Sequence, residues 1–375
     1  MGSKAKLPGG ARAWTAEWAF LVSLVILVVG WTFKPAISQG SIPGPALVGA
    51  FAGFFIGAVL GAFSAVRHAE HLAHRFGEPY GTLVLTLAAI SIEVVTIITI
   101  MLHGKNDPLI ARDTMFAVLM IVMNGVIGVG LLLGGLKHRE QAYNLQGANA
   151  FLSVLIPLAV LALILPDFTV GGGVGVHPTE EAIFLIVMSL LLYSVFIAMQ
   201  TRRHRSYFLP PAASVEASDE QAVEPQSWVS HAVLLIVYLL LVVFTAKLFA
   251  LPLDIGLDRT GLPSGVGALA VAILVLAPEA MAAIKAARVN HMQRAVNIGL
   301  GTALSTIGLT VPAVLAIDLF TNHAVFLGLN PADTVLLVLT FGVSILTFSS
   351  GRTNILQGCV HILLFLTFIL LIFSP

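Results

Sequence analysis

Two carboxylates stand where a carboxylate is costly. Of the 19 acidic residues, nearly all fall in polar segments or near the ends of apolar runs, where water or lipid headgroups solvate them. Glu93 and Glu279 do not. Glu93 comes 14 residues after Pro79, and Glu279 comes 16 after Pro263. At 1.5 Å per residue both lie about 21–24 Å along a helix, deep in the hydrocarbon of a bilayer. A lone charge there costs at least about 2.5–3.5 kcal/mol, so each group is kept neutral, paired or used. One reading is structural, a protonated Glu hydrogen-bonded to a neighbouring helix. The other is a functional role in cation chemistry, which two carboxylates at matching depths favour.

The neighbours of these residues offer oxygen. Pro278 has no N–H to give to the carbonyl of Leu274, which frees that oxygen near Glu279. Thr86 lies seven residues before Glu93 on the same helical face and carries a hydroxyl. Further on, Gly301, Thr302, Ser305 and Thr306 form a small, hydroxyl-bearing stretch that a cation or another helix could approach; taken singly, such hydroxyls more often join helices. His68, His71 and His74 recur every third residue beside Glu70, a spacing open to transition-metal binding or pH sensing, and equally to a solvated interfacial helix. Gly49, Gly53, Gly57 and Gly61 make a flat stripe, read first as a helix-packing face.

Composition fixes the setting for this chemistry. The 375 residues are 58% hydrophobic and 10% charged, against about 25% charged in a soluble domain, and the mean hydropathy is +0.97. Lys+Arg and Asp+Glu cancel at 19 each. An ordinary soluble enzyme, a disordered chain and a nucleic-acid binder are excluded. The lone Cys359 permits no intramolecular disulfide. No GxSxG, HExxH, P-loop or strand-borne GxGxxG occurs. An intramembrane enzyme using Glu93 with Glu279, or Ser349, Ser350 and His361, is the remote alternative; a channel is disfavoured for want of a continuous polar lining.

The elements that must position these residues are membrane helices. Apolar runs of about 20 residues are expected at 14–33, 44–66, 79–102, 113–136, 148–166, 180–199, 230–250, 263–287, 293–317, 332–349 and 353–373. The expected fold is all-α and polytopic, with eleven transmembrane helices: one N-terminal helix (residues 1–40), a five-helix repeat (41–200), a polar cytoplasmic loop (201–229) and a second five-helix repeat (230–375). Five is odd, so the two repeats enter the membrane from opposite sides, the inverted arrangement of secondary transporters, whose sites lie at the midplane. Of the 19 Lys and Arg, only Lys34, Lys105, Arg112, Lys247 and Arg259 fall on one side; the excess on the other predicts a cytoplasmic N-terminus. The acidic residues of the loop, Glu216, Asp219, Glu220 and Glu224, read as a solvated linker.

The run EHLAHRFGEPYGTLVLTLAAISIE from Glu70, with LAPEAMAAIKAARVNHMQRAVNIGLGTALSTIGLTVPA from Leu276 and GRTNILQG from Gly351, resembles the paired repeats of the cation/calcium exchanger superfamily. Within it the chain is similar to the ChaA-type bacterial calcium/proton antiporters. The resemblance implies alternating-access exchange of cytoplasmic cations for protons, with Glu93 and Glu279 as the cation- and proton-binding residues of a multi-pass inner-membrane protein. The family's Gly-Asn-x-x-Glu core is incomplete: Ala89 and Ile90, and Val275 and Leu276, stand where its Gly-Asn pairs would be. Gly301 matches the small-polar motif, Ser305 stands where an amide is common, and Asn124 with Gly125 lies near the corresponding place in the first repeat. Calcium is the expected cation, and the loss of those amides makes sodium or potassium the alternative. No cofactor is implied beyond the transported cation and protons. The partners are those ions and the lipid bilayer, with the oligomeric state left open.

Overall fold

The computed structural model describes residues 17–76, 80–103, 108–169, 178–211, 227–321 and 325–374. Pro79, Lys105 and the acidic loop residues Glu216, Asp219, Glu220 and Glu224 lie outside the described residues. Eleven helices follow one another: α1 (Trp18–Ser38), α2 (Gly44–Phe76), α3 (Tyr80–His103), α4 (Ile110–His138), α5 (Leu145–Leu163), α6 (Thr179–Ala198), α7 (Trp228–Thr260), α8 (Ser264–Arg288), α9 (Met292–Thr321), α10 (Pro331–Thr347) and α11 (Ile355–Phe373). Among the described residues, nine helices are long and apolar enough to cross a membrane, and the shorter apolar stretches Thr86–Met101 and Pro331–Thr347 supply the other two crossings. The expected count and order stand. Two residues depart from the all-helical pattern on each side of a small antiparallel ladder, β1 (Gln141–Ala142) with β2 (Arg352–Thr353).

Local chemistry sets the helix ends. Asn144 caps α5 by accepting from Gln146 N at 3.0 Å. Asn330 caps α10, accepting from Asp333 N at 2.9 Å, with Pro331 in the first turn, where its missing N–H is no loss. At α11 a reciprocal box forms: the Asn354 side chain accepts from Gln357 N, and the Gln357 side chain from Asn354 N. Gly261, at φ +66°, ends α7 in the left-handed region and lets the chain enter α8 within three residues.

The two halves repeat each other element by element. The first helix of each, α2 and α7, has 33 residues, and the second, α3 and α8, has 24 and 25. The third of each is interrupted by a π turn, at residues 121–126 in α4 and 306–310 in α9. Both leading helices outrun the expected ends at 66 and 250 by ten residues, because their polar ends continue helically past the apolar run.

The molecule is apolar both in its core and on its outer surface. α4 is buried along most of its length, while Leu21, Val25, Phe244 and Leu363 on the outside are largely exposed, as a lipid-facing surface requires. Where α11 crosses α4, a Cβ on Gly358 would meet Leu132 N at 2.6 Å and Gly128 O at 3.0 Å, so only glycine permits that approach. The glycine stripe of α2 is divided. Gly57 and Gly61 face Ile26 and Val242, whereas Gly49 and Gly53 meet nothing within 4 Å and border an apolar groove of about 420 Å³ beside α1. Basic residues assigned to one side by the sequence do gather at one end of the bundle: Lys137 donates to Arg288 O at 3.2 Å, Arg294 approaches Glu70 at 3.8 Å and Arg352 reaches Glu140 at 3.3 Å. At the opposite end Arg259 donates to Gly40 O and Ile42 O, and Arg112 to Gly328 O.

Candidate functional site

The second helix of each repeat carries one of the two glutamates to mid-membrane depth: Glu93 lies about 20 Å and Glu279 about 23 Å from the start of its helix. Glu93 is 3% exposed. Its Oε1 accepts a hydrogen bond from the Thr310 hydroxyl at 2.9 Å. Thr310 closes the π turn of α9, and Thr306, which opens it, is a second hydroxyl neighbour of the carboxylate while donating to Thr302 O at 3.0 Å. Tyr193 of α6 lies within electrostatic reach of Glu93 and seats its ring under Gly308, where a Cβ would come within 2.9 Å of the ring.

Glu279 is placed differently. It follows Pro278 inside an unbroken α8, so the carbonyl of Leu274 has no intrahelical donor. The Leu274 side chain is spent in the core with Phe54 and Leu248. Glu279 Oε2 is buried and has no hydrogen-bond partner among the described residues, and Glu93 is within electrostatic reach of it. One carboxylate is thus engaged by a hydroxyl and the other presents an open oxygen. Two unneutralised charges could not coexist here; protons or a cation must balance them.

The remaining sequence-derived candidates separate into those the fold gathers and those it does not. Thr86 sits two turns from Glu93 on α3, about 10 Å along the axis. Gly301 packs on Phe151, with 3.6 Å to the ring from a built Cβ, and Thr302 offers its carbonyl to both Ser305 and Thr306, so the Ser305 hydroxyl, at 2.9 Å from Thr302 O, is turned onto its own helix. Asn124, in the π turn of α4, gives its amide to Thr340 at 2.8 Å and accepts from His361 at 3.1 Å. Thr310 escaped sequence reasoning, although it continues the Thr302–Thr306 spacing by one more step of four.

The histidine stretch is reorganised by tertiary contact. His68 Nδ1 meets His231 Nδ1 of α7 at 2.9 Å, and His71 stacks on His231 with ring centroids 4.5 Å apart. Glu17, just before α1, accepts from Arg67 at 2.9 Å and from the Tyr238 hydroxyl at 2.6 Å, and lies 3.5 Å from His68 Nε2. Burial alone would raise the Glu17 carboxyl, but Tyr238, Arg67 and His68 outweigh it and hold it below its ordinary value. His74 is exposed and Glu70 turns to Arg294, so neither joins this cluster. The serine–histidine alternative has no geometry: Ser349 donates to Leu346 O and Ser350 to Arg352 O, while His361 pairs with Thr347 and Asn124.

Comparison with known proteins gives concordant results. The family described as sodium/calcium exchanger protein matches residues 46–202 and 230–374. A Sinorhizobium fredii protein named as an ionic transporter, y4hA, is 39% identical over 362 residues, covering 96% of each chain. The sodium-potassium/proton antiporter ChaA of Escherichia coli is 37% identical over 324 residues, covering 85% of this chain and 87% of its own. The crystal structure of the Ca2+/H+ antiporter protein YfkE superposes with a TM-score of 0.71 at 17% identity, covering 94% of this chain and 100% of the other.

Proposed function

This chain belongs to the sodium/calcium exchanger protein family, and we propose that it is a cation/proton antiporter in which Glu93 and Glu279 together hold either a cation or protons. The observation that carries this reading is the pair of deep-lying carboxylates, Glu93 buried and held by Thr310, and Glu279 half-buried with a buried, open oxygen. Calcium is the leading cargo on charge balance. Two carboxylates neutralise one doubly charged ion, and two protons leave them equally neutral, so the site crosses uncharged in either state. Calcium takes six to eight oxygens; the carboxylates give up to four, and the Thr306 and Thr310 hydroxyls, the Leu274 carbonyl and water complete the shell.

Sodium and potassium form the second reading. Ala89, Ile90, Val275 and Leu276 supply no amide oxygen where the family has Gly-Asn, and the Escherichia coli relative is named for those ions.

The gathering of basic residues at one end of the bundle supports a cytoplasmic N-terminus in a bacterial inner membrane. The segment 1–40, which contains α1, then leads, with 41–200 and 230–375 as the inverted repeats and 201–229 as a cytoplasmic linker. The buried meeting of His68 and His71 with His231 supports a proton-sensing role at that end.

The test is exchange in vesicles containing only this protein, with a preset pH gradient and calcium, sodium and potassium run in parallel. Cation-dependent collapse of the gradient is expected, with apparent cation affinity rising with pH as protons cease to compete. Conduction without proton exchange, or no flux with any of the three ions, overturns the reading.

A further inference from the structure

The π turn of α4 is tied down by a buried polar set that the exchange reaction does not otherwise use. Asn124 donates from Nδ2 to the Thr340 hydroxyl of α10 at 2.8 Å. Its Oδ1 faces His361 Nδ1 of α11 at 3.1 Å, and His361 Nε2 faces the Thr347 hydroxyl at 3.0 Å. Asn124, Thr340 and His361 are each 0% exposed. An amide oxygen can only accept, so His361 Nδ1 carries the proton and Nε2 takes the hydroxyl hydrogen of Thr347. In this arrangement the Thr340 hydroxyl, having accepted from Asn124, donates in turn to Met120 Sδ at 3.8 Å. A second proton on the ring would bury a cation with no carboxylate bonded to it among the described residues, so the imidazole is neutral.

The set joins the two halves of the molecule, Asn124 lying in the first and Thr340, Thr347 and His361 in the second. Asn124 occupies the α4 turn, the counterpart of the α9 turn from which Thr310 reaches Glu93.

We propose that His361 is a positioning residue for exchange: its neutral ring, with Thr340, fixes the Asn124 carboxamide and so sets the α4 π turn, the first repeat's counterpart of the turn that serves Glu93. This rests on the two-carboxylate reading given above, and the experiment separates the two. Vesicle exchange is measured for the wild type, Glu93→Gln, His361→Leu and His361→Asn. His361→Leu replaces the ring with an apolar side chain that bonds to neither Asn124 nor Thr347. His361→Asn returns an N–H at the place of Nδ1. With loss of one buried hydrogen bond to Asn124, KM for the cation should rise about tenfold in the Leu variant while maximal rate stays within about twofold. The Asn variant should return KM to within about threefold of wild type, and the pH profile should keep its shape in both.

Thr340→Val, which removes the other partner of Asn124 at nearly constant volume, carries the same KM expectation and serves if His361→Leu does not fold. An unchanged KM in the folded Leu or Val variant overturns the proposal. So does an Asn variant as impaired as Leu, or a fall in melting temperature and rate with KM untouched, since a merely structural role would give that pattern. Absence of exchange by wild type, or normal exchange by Glu93→Gln, would instead overturn the two-carboxylate reading.

Discussion

Replacing Glu279 with Gln isolates charge from structure more cleanly here than at Glu93. Glu279 Oε2 has no hydrogen-bond partner among the described residues, so an amide at that position breaks no protein contact made through it. Gln also removes whatever share of the about 2.5–3.5 kcal/mol penalty an ionised group carries at this depth. The variant should therefore insert and purify as wild type, with a melting temperature in detergent equal or higher. Cation binding should suffer. An interaction with a charged oxygen contributes about 1.5–3 kcal/mol, and each 1.4 kcal/mol is about tenfold in affinity, so apparent KM should rise by about 10- to 100-fold. A calcium ion bound by one carboxylate would also leave a net positive charge, which couples to voltage at about 2.3 kcal/mol per 100 mV. The assay is calcium-driven proton flux in vesicles clamped at several potentials, with potassium flux through the protein controlled for. Wild-type exchange should be nearly voltage-independent, and residual exchange by Glu279→Gln voltage-dependent. Near-normal, voltage-independent exchange by the variant would refute the shared-site argument.

Three further outcomes follow from the described contacts. Thr310→Val removes the 2.9 Å bond to Glu93 at nearly constant volume and should raise KM about tenfold, with Thr310→Ser close to wild type; equal kinetics for Val and Ser would dismiss the hydroxyl. Because Tyr238, Arg67 and His68 hold the Glu17 carboxyl below its ordinary value of 4.5, its stabilisation is present above pH 4.5 and is lost as pH falls through the lower folded value. Melting temperature should thus drop on acidification below pH 4.5 in wild type and drop less in Glu17→Gln, and parallel curves would count against the linkage. Gly358→Ala would bring a Cβ within 2.6 Å of Leu132 N, so α11 must move off α4; reduced thermal stability is expected in a melt of the purified variant, and an unchanged midpoint would show that the helices yield freely.

How much of this was legible depended on whether the signal was local. Glu93 and Glu279 could be read because an ionisable residue inside an apolar run is costly wherever the run packs. The eleven helices follow from run length, and the inverted repeats from the odd number in each half. Partners from distant sequence were not legible. His231 is 163 residues from His68, and no periodicity links them. Thr310 was obscured by the π turn of α9, since a change from four- to five-residue hydrogen bonding alters which side chains share a face. Ser305 looked like a ligand because it stands at a family position, yet its hydroxyl takes the nearest carbonyl on its own helix, a competition that short hydroxyl side chains commonly win.

Those same π turns have a mechanical consequence. A turn closed five residues apart interrupts the ladder that makes a helix rigid, and does so at residues 121–126 and 306–310, the second of them against Glu93. α4 and α9 are therefore each two rods meeting at a joint. A twist applied to the rod on one side of the membrane can be absorbed at the joint and need not reach the rod on the other side. The two faces of the protein can rearrange in succession, with Thr310 and Asn124 at the joints themselves, where a small change in winding alters what each side chain can touch.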